Sequence, residues 1–295
     1  MKRSKLVLLL TVAAALPGCA WLAGPCAEPT TGILGALEAE VAALEAEMTE
    51  VDEVRVQGLR FVTGRARGRR VVVARTGIGK VNAALTATLL VERFGPDEVI
   101  FSGIAGGLNP DLLPGDVVIA RKTAQHDLGT LSREGMERQS VPNPLTGEDN
   151  PVFFRADPRL LAAAKEAAAE YRPAEMQTTA GRRTPRTVTG LVVTGDVFVA
   201  SREKTAELRQ ALDADAVEME GAAVAQVCWQ FGVPCLVVRS VSDRADEEAG
   251  VDLQKFLQTA AQNSAGLVLG ILEGLEARRA AALGSPLTGA AAGGR

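Results

Sequence analysis

Short runs of consecutive apolar residues recur along this chain and alternate with longer segments of helical periodicity. Such runs occur in Arg70–Ala74, Glu98–Phe101 and Cys235–Ser240. A strand that is apolar at successive positions is buried on both faces, which is typical of a sheet covered by helices on each side. The pattern therefore predicts an α/β fold with a mostly parallel or mixed central sheet.

The other predicted elements follow the same alternation. Further strands are predicted at Gly32–Leu37, Gly115–Ala120 and Thr187–Val193. Helices are predicted from Glu38 onward and at Val81–Phe94, Pro158–Tyr171, Ser201–Leu212, Glu218–Phe231 and Leu253–Leu275. Residues 129–151 are polar and contain Pro and Gly, which predicts a long loop. We expect one domain over residues 30–280 and a disordered, small-residue-rich tail over 281–295.

The first 29 residues predict a leader and linker. Three cations within the first five residues precede the apolar segment Leu6–Leu16, which is short for a membrane span and typical of a secretory signal. The next residues, Leu16-Pro17-Gly18-Cys19, resemble a bacterial lipoprotein box, although a small or β-branched residue is usual at the position of Pro17. The sequence predicts export, with lipidation of Cys19 and membrane anchoring. Plain secretory cleavage near Pro25–Ala27 is the alternative.

Composition argues against several classes of function. A net charge of −4 and an aromatic content of 4% give no reason to expect nucleic-acid binding. The single histidine, His126, makes a histidine metal site or a Ser-His-Asp triad improbable, so we expect no metal and no cofactor. Cys228 and Cys235 lie in apolar surroundings, where either free core cysteines or a disulfide would be compatible with export.

Two glycine-rich segments directly follow predicted strands. Thr76–Lys80 reads TGIGK and Ser102–Gly107 reads SGIAGG, and neither completes a Walker A or a GxGxxG motif. Each alone is typical of a tight turn. Two of them after neighbouring strands favour a ligand that the backbone approaches closely, at the carboxyl ends of the strands.

Four segments together resemble the nucleosidases that cleave methylthioadenosine and S-adenosylhomocysteine, within the purine and uridine phosphorylase superfamily. They are Gly32–Glu40, Thr76–Lys80, Gly103–Leu108 with Gly115–Val118, and Val193–Val199 with the runs VEMEGAA and VRSVSDRAD. The resemblance covers residues 32–275. It implies a single-domain phosphorylase/hydrolase-like fold with a central mixed, partly barrel-like sheet flanked by helices, usually in a homodimer.

The resemblance implies two catalytic carboxyl groups. Asp243 would be the general acid for the departing purine, and Glu40 would be the general base that activates a water at the anomeric carbon. An acid on one face of the sugar and a water-activating base on the other is the arrangement of inverting glycoside cleavage. The implied reaction releases adenine and a thioribose.

Further roles follow from the resemblance for residues around the sugar. Glu220 would accept hydrogen bonds from the ribose hydroxyls, Met219 would pack on the sugar, and Gly106 would let the backbone approach it. Arg239 would help to hold the attacking water. Glu218 has no implied ligand, so it is either structural or paired with Arg239 or another cation.

Other roles concern the base and the 5′ substituent. Phe198 would stack on the purine, the backbone of Val199 would read its edge, and Ser242 would orient Asp243. Ile78, with Leu37, would keep the 5′ pocket apolar. Two departures from the family are Ile104, where Ser or Thr is frequent, and Leu253, where an aromatic is frequent. The pair His126-Asp127 is interpreted as structural or as lying near a dimer interface.

Charge separates hydrolysis from phosphorolysis. A phosphate nucleophile needs cationic or dipolar partners, whereas Glu40 would repel it and favour water. The leading hypothesis is an N-ribosyl hydrolase for adenine thionucleosides. The alternatives are a hydrolase or phosphorylase for another nucleoside, such as futalosine or adenosine, and an inactive lipid-anchored nucleoside-binding protein.

Overall fold

The computed structural model describes residues 28–178 and 181–284. Within these ranges the chain forms six helices and a ten-stranded mixed sheet with two small two-stranded sheets beside it. The predicted leader through Ala27, including Cys19, and residues 285–295 lie outside the described residues. No helix of the described part is both long enough and apolar enough to span a bilayer.

The elements have the following bounds. The helices are α1 (Glu38–Glu45), α2 (Lys80–Phe94), α3 (Pro158–Glu170), α4 (Arg202–Leu212), α5 (Gly221–Phe231) and α6 (Ala249–Gly284). The first seven strands are β1 (Thr30–Gly35), β2 (Thr49–Val56), β3 (Leu59–Ala66), β4 (Arg69–Arg75), β5 (Glu98–Gly107), β6 (Val117–Gln125) and β7 (Gly129–Ser132). The others are β8 (Gly135–Arg138), β9 (Phe153–Arg155), β10 (Met176–Thr178), β11 (Gly181–Arg183), β12 (Thr187–Thr194), β13 (Ala216–Glu218) and β14 (Cys235–Asp243).

The large sheet is partly closed into a barrel. Nine of its strands follow the order β13-β12-β6-β14-β5-β1-β4-β3-β2, and the tenth, β9, pairs antiparallel with β6. Strand β13 also pairs antiparallel with β5. This extra pairing closes the first five strands on themselves, while the remaining four extend from β5 as an open sheet. Parallel and antiparallel pairs both occur, since β5 is parallel to β1 and β14 whereas β6 is antiparallel to β14. The predicted mixed, partly barrel-like α/β fold is confirmed.

Strand β5 shows why its sequence is apolar at successive positions. Ile100 belongs to a core formed with α1, α3 and α6, whereas its neighbours Val99 and Phe101 belong to a core formed with α2 and α5. All three side chains are fully buried. Burial of each such side chain contributes about 1.5–3 kcal/mol, so both faces of the strand are fixed against helices.

The parallel strands β1, β5 and β14 place chemically important residues at one edge. Gly35, Gly107 and Asp243 end these three strands, and parallel neighbours have their carboxyl ends on the same side of the sheet. The start of α1, directly after β1, therefore lies beside the end of β14. This edge is called the catalytic end below, and the opposite edge is called the base.

The hairpins at residues 49–75 were not anticipated from the sequence. Strands β2, β3 and β4 are joined by two-residue turns, Gln57-Gly58 and Arg67-Gly68, in which all four residues have positive φ between 50° and 84°. Such turns match the twist of a hairpin and favour Gly at the second position. The Q-G and R-G dipeptides were available signals, but the charged, exposed β2 lacks an apolar run.

Other bounds also differ from the sequence predictions. The segment SGIAGG lies in β5 and is not a turn after it, and residues 129–138 of the predicted loop form the β7–β8 hairpin. Glu218 ends β13, and the helix that was predicted from this residue begins at Gly221. Helix α6 continues to Gly284, so residues 281–284, assigned to a disordered tail, are helical.

Candidate active site

A cavity opens at the catalytic end, between the start of α1 and the ends of β5, β13 and β14. The structure brings together eight of the ten catalytic and substrate-binding residues predicted from the sequence. Those that line the cavity are Glu40, Ile78, Gly106, Phe198, Met219, Glu220, Ser242 and Asp243. Val199 and Arg239 do not line it. Val199 is buried next to Phe198, and Arg239 lies behind the cavity wall.

Glu40 is held as an acceptor by three backbone groups. Its Oε2 accepts hydrogen bonds from the N–H groups of Ala36 (2.6 Å) and Leu37 (2.8 Å), and its Oε1 accepts one from Ile104 (3.0 Å). Burial raises the pKa of Glu40, while Arg239 and these N–H groups act against the rise because they favour the carboxylate. The side chain therefore takes up a proton more readily than an exposed glutamate does, which suits a general base.

Asp243 reaches the cavity from the last residue of β14. Ser242 Oγ donates to Asp243 Oδ2 (2.6 Å) and the N–H of Ala245 donates to Oδ1 (2.8 Å), so the carboxyl is oriented on both oxygens. Burial raises the pKa of Asp243, and the nearby acids Asp252 and Asp246 add to the rise. A carboxyl that keeps its proton longer than usual can act as a general acid.

Glu220 lies at the start of α5 and is buried with few partners. Its Oε1 accepts a hydrogen bond from the N–H of Gly79 (2.8 Å). Burial, together with the charge of Glu218, raises the pKa of Glu220 to about 8, although Arg239 and the Gly79 N–H lower it. The carboxyl faces the cavity, where two hydroxyl donors on adjacent carbons would match its two oxygens.

Glu218, two residues earlier, has a different environment. Its Oε2 accepts hydrogen bonds from Arg239 Nη2 (2.6 Å) and from the N–H of Gly221 (2.7 Å), and its Oε1 accepts one from the hydroxyl of Thr194. The Glu218–Arg239 ion pair is almost fully buried. Glu218 is therefore the structural partner of Arg239, which was one of the two expectations for it.

Arg239 was predicted to hold the attacking water, and the structure places its guanidinium among protein groups next to the cavity. Nε and Nη2 donate to Glu218, while Nη1 lies 3.3 Å from the carbonyl oxygens of Phe101 and Val238. The guanidinium also stacks on the Phe101 ring at 3.9 Å from its centroid. Arg239 does not line the cavity, and its positive charge lies close enough to Glu40 to favour the ionised form of that carboxyl group.

The glycines of β5 make room for the carboxyl groups of Glu40 and Asp243. A Cβ at Gly103 would lie 2.7 Å from Glu40 Oε1, and a Cβ at Gly106 would lie 2.9 Å from Asp243 Oδ1. Both distances are shorter than a side chain tolerates. The GIAGG segment is thus rich in glycine because two buried carboxyl groups pack directly on the strand, a reason that the sequence motif alone did not reveal.

The TGIGK segment has a different geometry. Gly77 and Gly79 have φ of 78° and 96°, in the left-handed region that favours glycine. The turn directs the N–H of Gly79 at Glu220 and leaves the side chain of Ile78 more than half exposed at the mouth of the cavity. Phe198 is exposed to a similar extent on the same cavity, so both apolar side chains are available to a ligand.

The cavity is lined by acids and apolar side chains. Among its described lining residues there is no Lys, Arg or His, and the apolar ones include Leu37, Ile78, Ile104 and Leu253. Within residues 28–178 and 181–284, no cluster of three or more potential metal ligands occurs. The arrangement can supply a base, an acid and a hydroxyl acceptor around one bound molecule. Its described lining contains no cationic side chain that would bind an anion.

The contacts that complete this site come mainly from the backbone, and sequence reasoning missed them. The N–H groups of Ala36, Leu37 and Ile104 hold Glu40, and that of Ala245, itself at a positive φ of 51°, holds Asp243. Backbone donors have no residue-type signature. The helix start after β1 was the one available hint, because first-turn acids favour free N–H groups.

Comparison with known sequences gives a consistent picture. The family model of the phosphorylase superfamily matches residues 30–273. The chain is 42% identical over 248 residues to the 5′-methylthioadenosine/S-adenosylhomocysteine nucleosidase of Geobacillus kaustophilus, covering 84% of this chain and 98% of that protein. It is 37% identical over 251 residues to the nucleosidase of the same name from Mycobacterium tuberculosis, with the same coverage.

Comparison with solved structures extends this result. The nucleosidase of Neisseria meningitidis in complex with methylthio-immucillin-A superposes with a TM-score of 0.72 at 39% identity, over 83% of this chain and 98% of that one. The futalosine hydrolase of Helicobacter pylori also gives a TM-score of 0.72, at 36% identity over 83% and 97% of the two chains.

Proposed function

This chain belongs to the 5′-methylthioadenosine/S-adenosylhomocysteine nucleosidase family of the phosphorylase superfamily, and we propose that it hydrolyses the N-glycosidic bond of adenine nucleosides with a 5′-thio substituent. The products are adenine and a thioribose. One observation supports this most strongly. Glu40 and Asp243, both buried carboxyl groups with a raised pKa, line one cavity from different elements.

Asp243 performs the acid half of the reaction. Purine leaves poorly as an anion, and protonation or hydrogen bonding at its five-membered ring neutralises the departing charge. Ser242 and the Ala245 N–H fix the orientation of the carboxyl, and its raised pKa retains the proton for transfer. The departing purine lies beside Phe198, whose exposed ring offers a stacking surface.

Glu40 performs the base half. It takes a proton from a water that attacks the anomeric carbon as the glycosidic bond breaks through an oxocarbenium-like transition state. Its three backbone donors hold the carboxylate in place, and the positive charge of Arg239 behind it favours the ionised form. Glu220 accepts the ribose hydroxyls, and Met219 packs on the sugar.

Water rather than phosphate is the nucleophile. Phosphorylases must stabilise a phosphate anion, which requires cations or helix N-termini directed at it. The described lining of this cavity contains Glu40, Glu218, Glu220 and Asp243 and no cationic side chain. A phosphate beside these acids would be repelled, whereas a neutral water is not.

The variant Glu40→Gln tests this mechanism. It keeps the shape of the side chain and removes the base, so adenine release falls by about 10²–10⁴-fold while binding of an adenine nucleoside is retained. Turnover is measured by adenine release, binding by calorimetry, and folding by the thermal midpoint. Wild-type-like turnover in a folded Glu40→Gln protein would refute the role of Glu40.

The 5′ substituent distinguishes the candidate substrates. The futalosine hydrolase of Helicobacter pylori is as similar in fold as the thionucleosidases. Leu37, Ile78 and Leu253 give this cavity an apolar side, which matches a methylthio group better than a polar or charged 5′ group. In a panel of methylthioadenosine, S-adenosylhomocysteine, adenosine and futalosine, we expect the highest kcat/KM for methylthioadenosine. A preference for futalosine would reassign the substrate.

A homodimer is part of the proposal. The face of α2 exposes Val81 and Leu85, which are 77% and 54% accessible, and apolar side chains of this kind on one helix support a protein interface. Asp127 accepts a hydrogen bond from Lys80 at the start of this helix, and the pair His126-Asp127 is part of the proposed interface region. Light scattering coupled to size exclusion tests the dimer, with a mass of one chain as the contrary result.

Export with lipidation at Cys19 is also proposed. The described chain starts at the base, where Glu28 pairs with Arg65 and Arg279, and the catalytic cavity lies at the opposite edge. An anchor attached through the N-terminus would therefore leave the cavity accessible. Membrane fractionation of wild type and Cys19→Ala tests the anchor: the variant should move to the soluble exported fraction, and equal membrane association of both would contradict lipidation.

A further inference from the structure

Three charged residues, each from a different loop, meet beside the cavity without lining it. Lys80 begins α2, Asp127 follows β6, and Asp196 follows β12. Lys80 Nζ donates to Asp127 Oδ1 (2.7 Å), the backbone N–H of Asp196 donates to Asp127 Oδ2 (2.9 Å), and the backbone N–H of Lys80 donates to Asp196 Oδ1 (2.8 Å). These three residues thus form a closed ring of hydrogen bonds, which we call the clasp.

Two of the three loops, those of Lys80 and Asp196, also bear contacts to the cavity. Gly79, next to Lys80, donates its N–H to Glu220, and Phe198, two residues after Asp196, lines the cavity. Gly195, adjacent to Asp196, donates its N–H to the carbonyl oxygen of Glu218 (3.1 Å). The clasp therefore fixes the distance between the loop that holds the hydroxyl acceptor and the loop that holds the stacking ring.

We propose that Lys80, Asp127 and Asp196 are positioning residues for nucleoside binding: the clasp directs the Gly79 N–H at Glu220 and holds the Phe198 loop beside it. The proposal rests on the proposed function, since it concerns how the same cavity binds its nucleoside. None of the three residues lines the cavity, and nothing in the sequence motifs assigned them a role in binding.

The charge around Glu220 explains why the Gly79 contact is important. Glu218 on β13 and Glu40 on α1 face Glu220 with negative charge, whereas Arg239 on β14 is already paired with Glu218. The Gly79 N–H is the direct hydrogen-bond donor that favours the ionised form of Glu220. Without it, the pKa of Glu220 rises further, and a protonated carboxyl accepts the ribose hydroxyls less well.

The tightness of the turn at Gly79 supports the same conclusion. A Cβ at this position would lie 3.3 Å from Asp196 Oδ1, and Gly79 already has φ of 96°. Asp196 therefore packs against the glycine as well as binding the next N–H. If the Asp196 side chain is removed, the turn loses both contacts at once.

Asp196→Ala tests the clasp, and two variants serve as controls. Asp196→Asn keeps a carbonyl oxygen that can accept from the Lys80 N–H. Asp157→Ala removes another aspartate that accepts backbone N–H groups at a helix start, those of Arg159 and Leu160, but at the base of the sheet. For each protein, kcat, KM, the pH profile of kcat/KM and the thermal midpoint are measured with methylthioadenosine.

We expect Asp196→Ala to raise KM about tenfold while kcat changes less than about threefold. The acid limb of the kcat/KM profile should move to higher pH by about one unit, because Glu220 is then harder to ionise. Asp196→Asn should restore KM to within about twofold of wild type. Asp157→Ala should lower the thermal midpoint and leave KM and the acid limb in place.

The proposal would be overturned if Asp196→Ala had the KM and the acid limb of wild type and differed only in a lower thermal midpoint. If that variant does not fold, Lys80→Met breaks the link to Asp127 with the backbone retained, and the same KM and pH shifts decide. A wild-type protein without turnover would refute the proposed hydrolysis. The clasp would then be judged by calorimetric affinity for methylthioadenosine, where an unchanged affinity in Asp196→Ala would overturn it.

Discussion

Two sets of buried carboxyl groups lie at opposite edges of the same sheet. At the base, Glu98 is fully buried and accepts hydrogen bonds from Thr31 Oγ1 (2.7 Å), Arg69 Nε (3.1 Å) and Arg159 Nη2 (2.6 Å). At the catalytic end, Glu40, Glu220 and Asp243 are also buried, but their partners are backbone N–H groups and one serine.

The difference lies in the partners and not in the burial. Burial raises the pKa of Glu98, but Thr31, Arg159 and Arg69 lower it more, so its pKa lies below the ordinary value. At the catalytic end Arg239 pairs with Glu218, but no cation binds Glu40, Glu220 or Asp243 directly, and the pKa values of these three groups remain raised. At the base edge of the sheet, the buried ion pairs of Glu98 hold neighbouring strands together. At the catalytic end, the buried carboxyl groups can exchange protons.

The largest effect is expected for Asp243→Asn. The variant keeps the acceptor for the Ala245 N–H but cannot deliver a proton, so kcat falls by about 10³-fold. The thermal midpoint should not fall, because an uncompensated buried acid has been removed. Rates of adenine release and a thermal melt check both statements. A kcat within tenfold of wild type would show that Asp243 is not the acid.

Arg69→Met tests the other edge. Removal of one cation from the buried Glu98 cluster leaves the carboxylate incompletely paired and destabilises the protein by about 3–5 kcal/mol. Denaturant unfolding measures this loss, and kcat per folded molecule should stay unchanged. Arg75→Met is the matched control, since Arg75 pairs with Glu38 in solvent and its loss should cost less than about 1 kcal/mol. Equal effects of the two substitutions would remove the distinction between the edges.

Glu220→Gln addresses binding at the catalytic end. Above the Glu220 pKa of about 8 the carboxyl group is ionised. Charge-assisted hydrogen bonds to the ribose hydroxyls are worth about 1.5–3 kcal/mol each, so at such a pH KM should rise about 10–100-fold with a smaller change in kcat. The 2′-deoxy form of the nucleoside serves as the control, because it should discriminate less between wild type and variant. A rise in KM that is equal for both nucleosides would argue against the hydroxyl contact.

The smallest effect concerns stability against pH. A carboxyl group with a raised pKa binds its proton more tightly in the folded state, so stability is present below the unfolded pKa and falls as pH rises toward the folded pKa. For Glu220 this window runs from the ordinary glutamate pKa of 4.5 to about 8. Thermal midpoints should therefore decline from pH 5 to pH 8. In Glu220→Gln this decline should be smaller, by roughly 2–4 °C for each kcal/mol of folding stability that wild type loses when Glu220 ionises.

Glu98 makes folding stability change with pH in the opposite direction, at pH values below that range. Its lowered pKa stabilises the fold above the unfolded pKa, and this stability is lost as pH falls through the folded pKa. Acid unfolding should thus begin at the base. Hydrogen exchange at low pH checks this, with early exposure of β1 and β5 near Glu98 as the expected result and early exposure at Asp243 as the contrary one.

The sequence predicted the fold where burial leaves a direct pattern. Strand β5 is apolar on both faces because Ile100 and Phe101 enter different cores, and that pattern is visible without a structure. The hairpin of β2 and β3 was missed, because an exposed, charged strand has no such pattern and depends on turns such as Gln57-Gly58. Closure of the barrel by β13 is equally a matter of tertiary pairing between distant segments.

The sequence allowed us to predict which residues form the site, but not all of the hydrogen bonds and ion pairs that hold them. The resemblance located Glu40, Glu220 and Asp243, and the structure places all three on one cavity. The roles of Glu218 and Arg239 could not be separated from the sequence, because which acid takes the buried cation depends on the side-chain geometry of β13 and β14. The backbone donors to Glu40 had no signal in the residue types, and only the predicted helix start after β1 pointed to them.

The most direct test of the account is the dependence of turnover on phosphate. The described lining of the cavity has acids and no cationic side chain, so the cavity should bind no phosphate. Adenine release from methylthioadenosine should therefore proceed at the same rate in phosphate-free and phosphate-saturated buffer. The sugar product should be the free thioribose. A rate that requires phosphate, with a sugar 1-phosphate as the product, would contradict it.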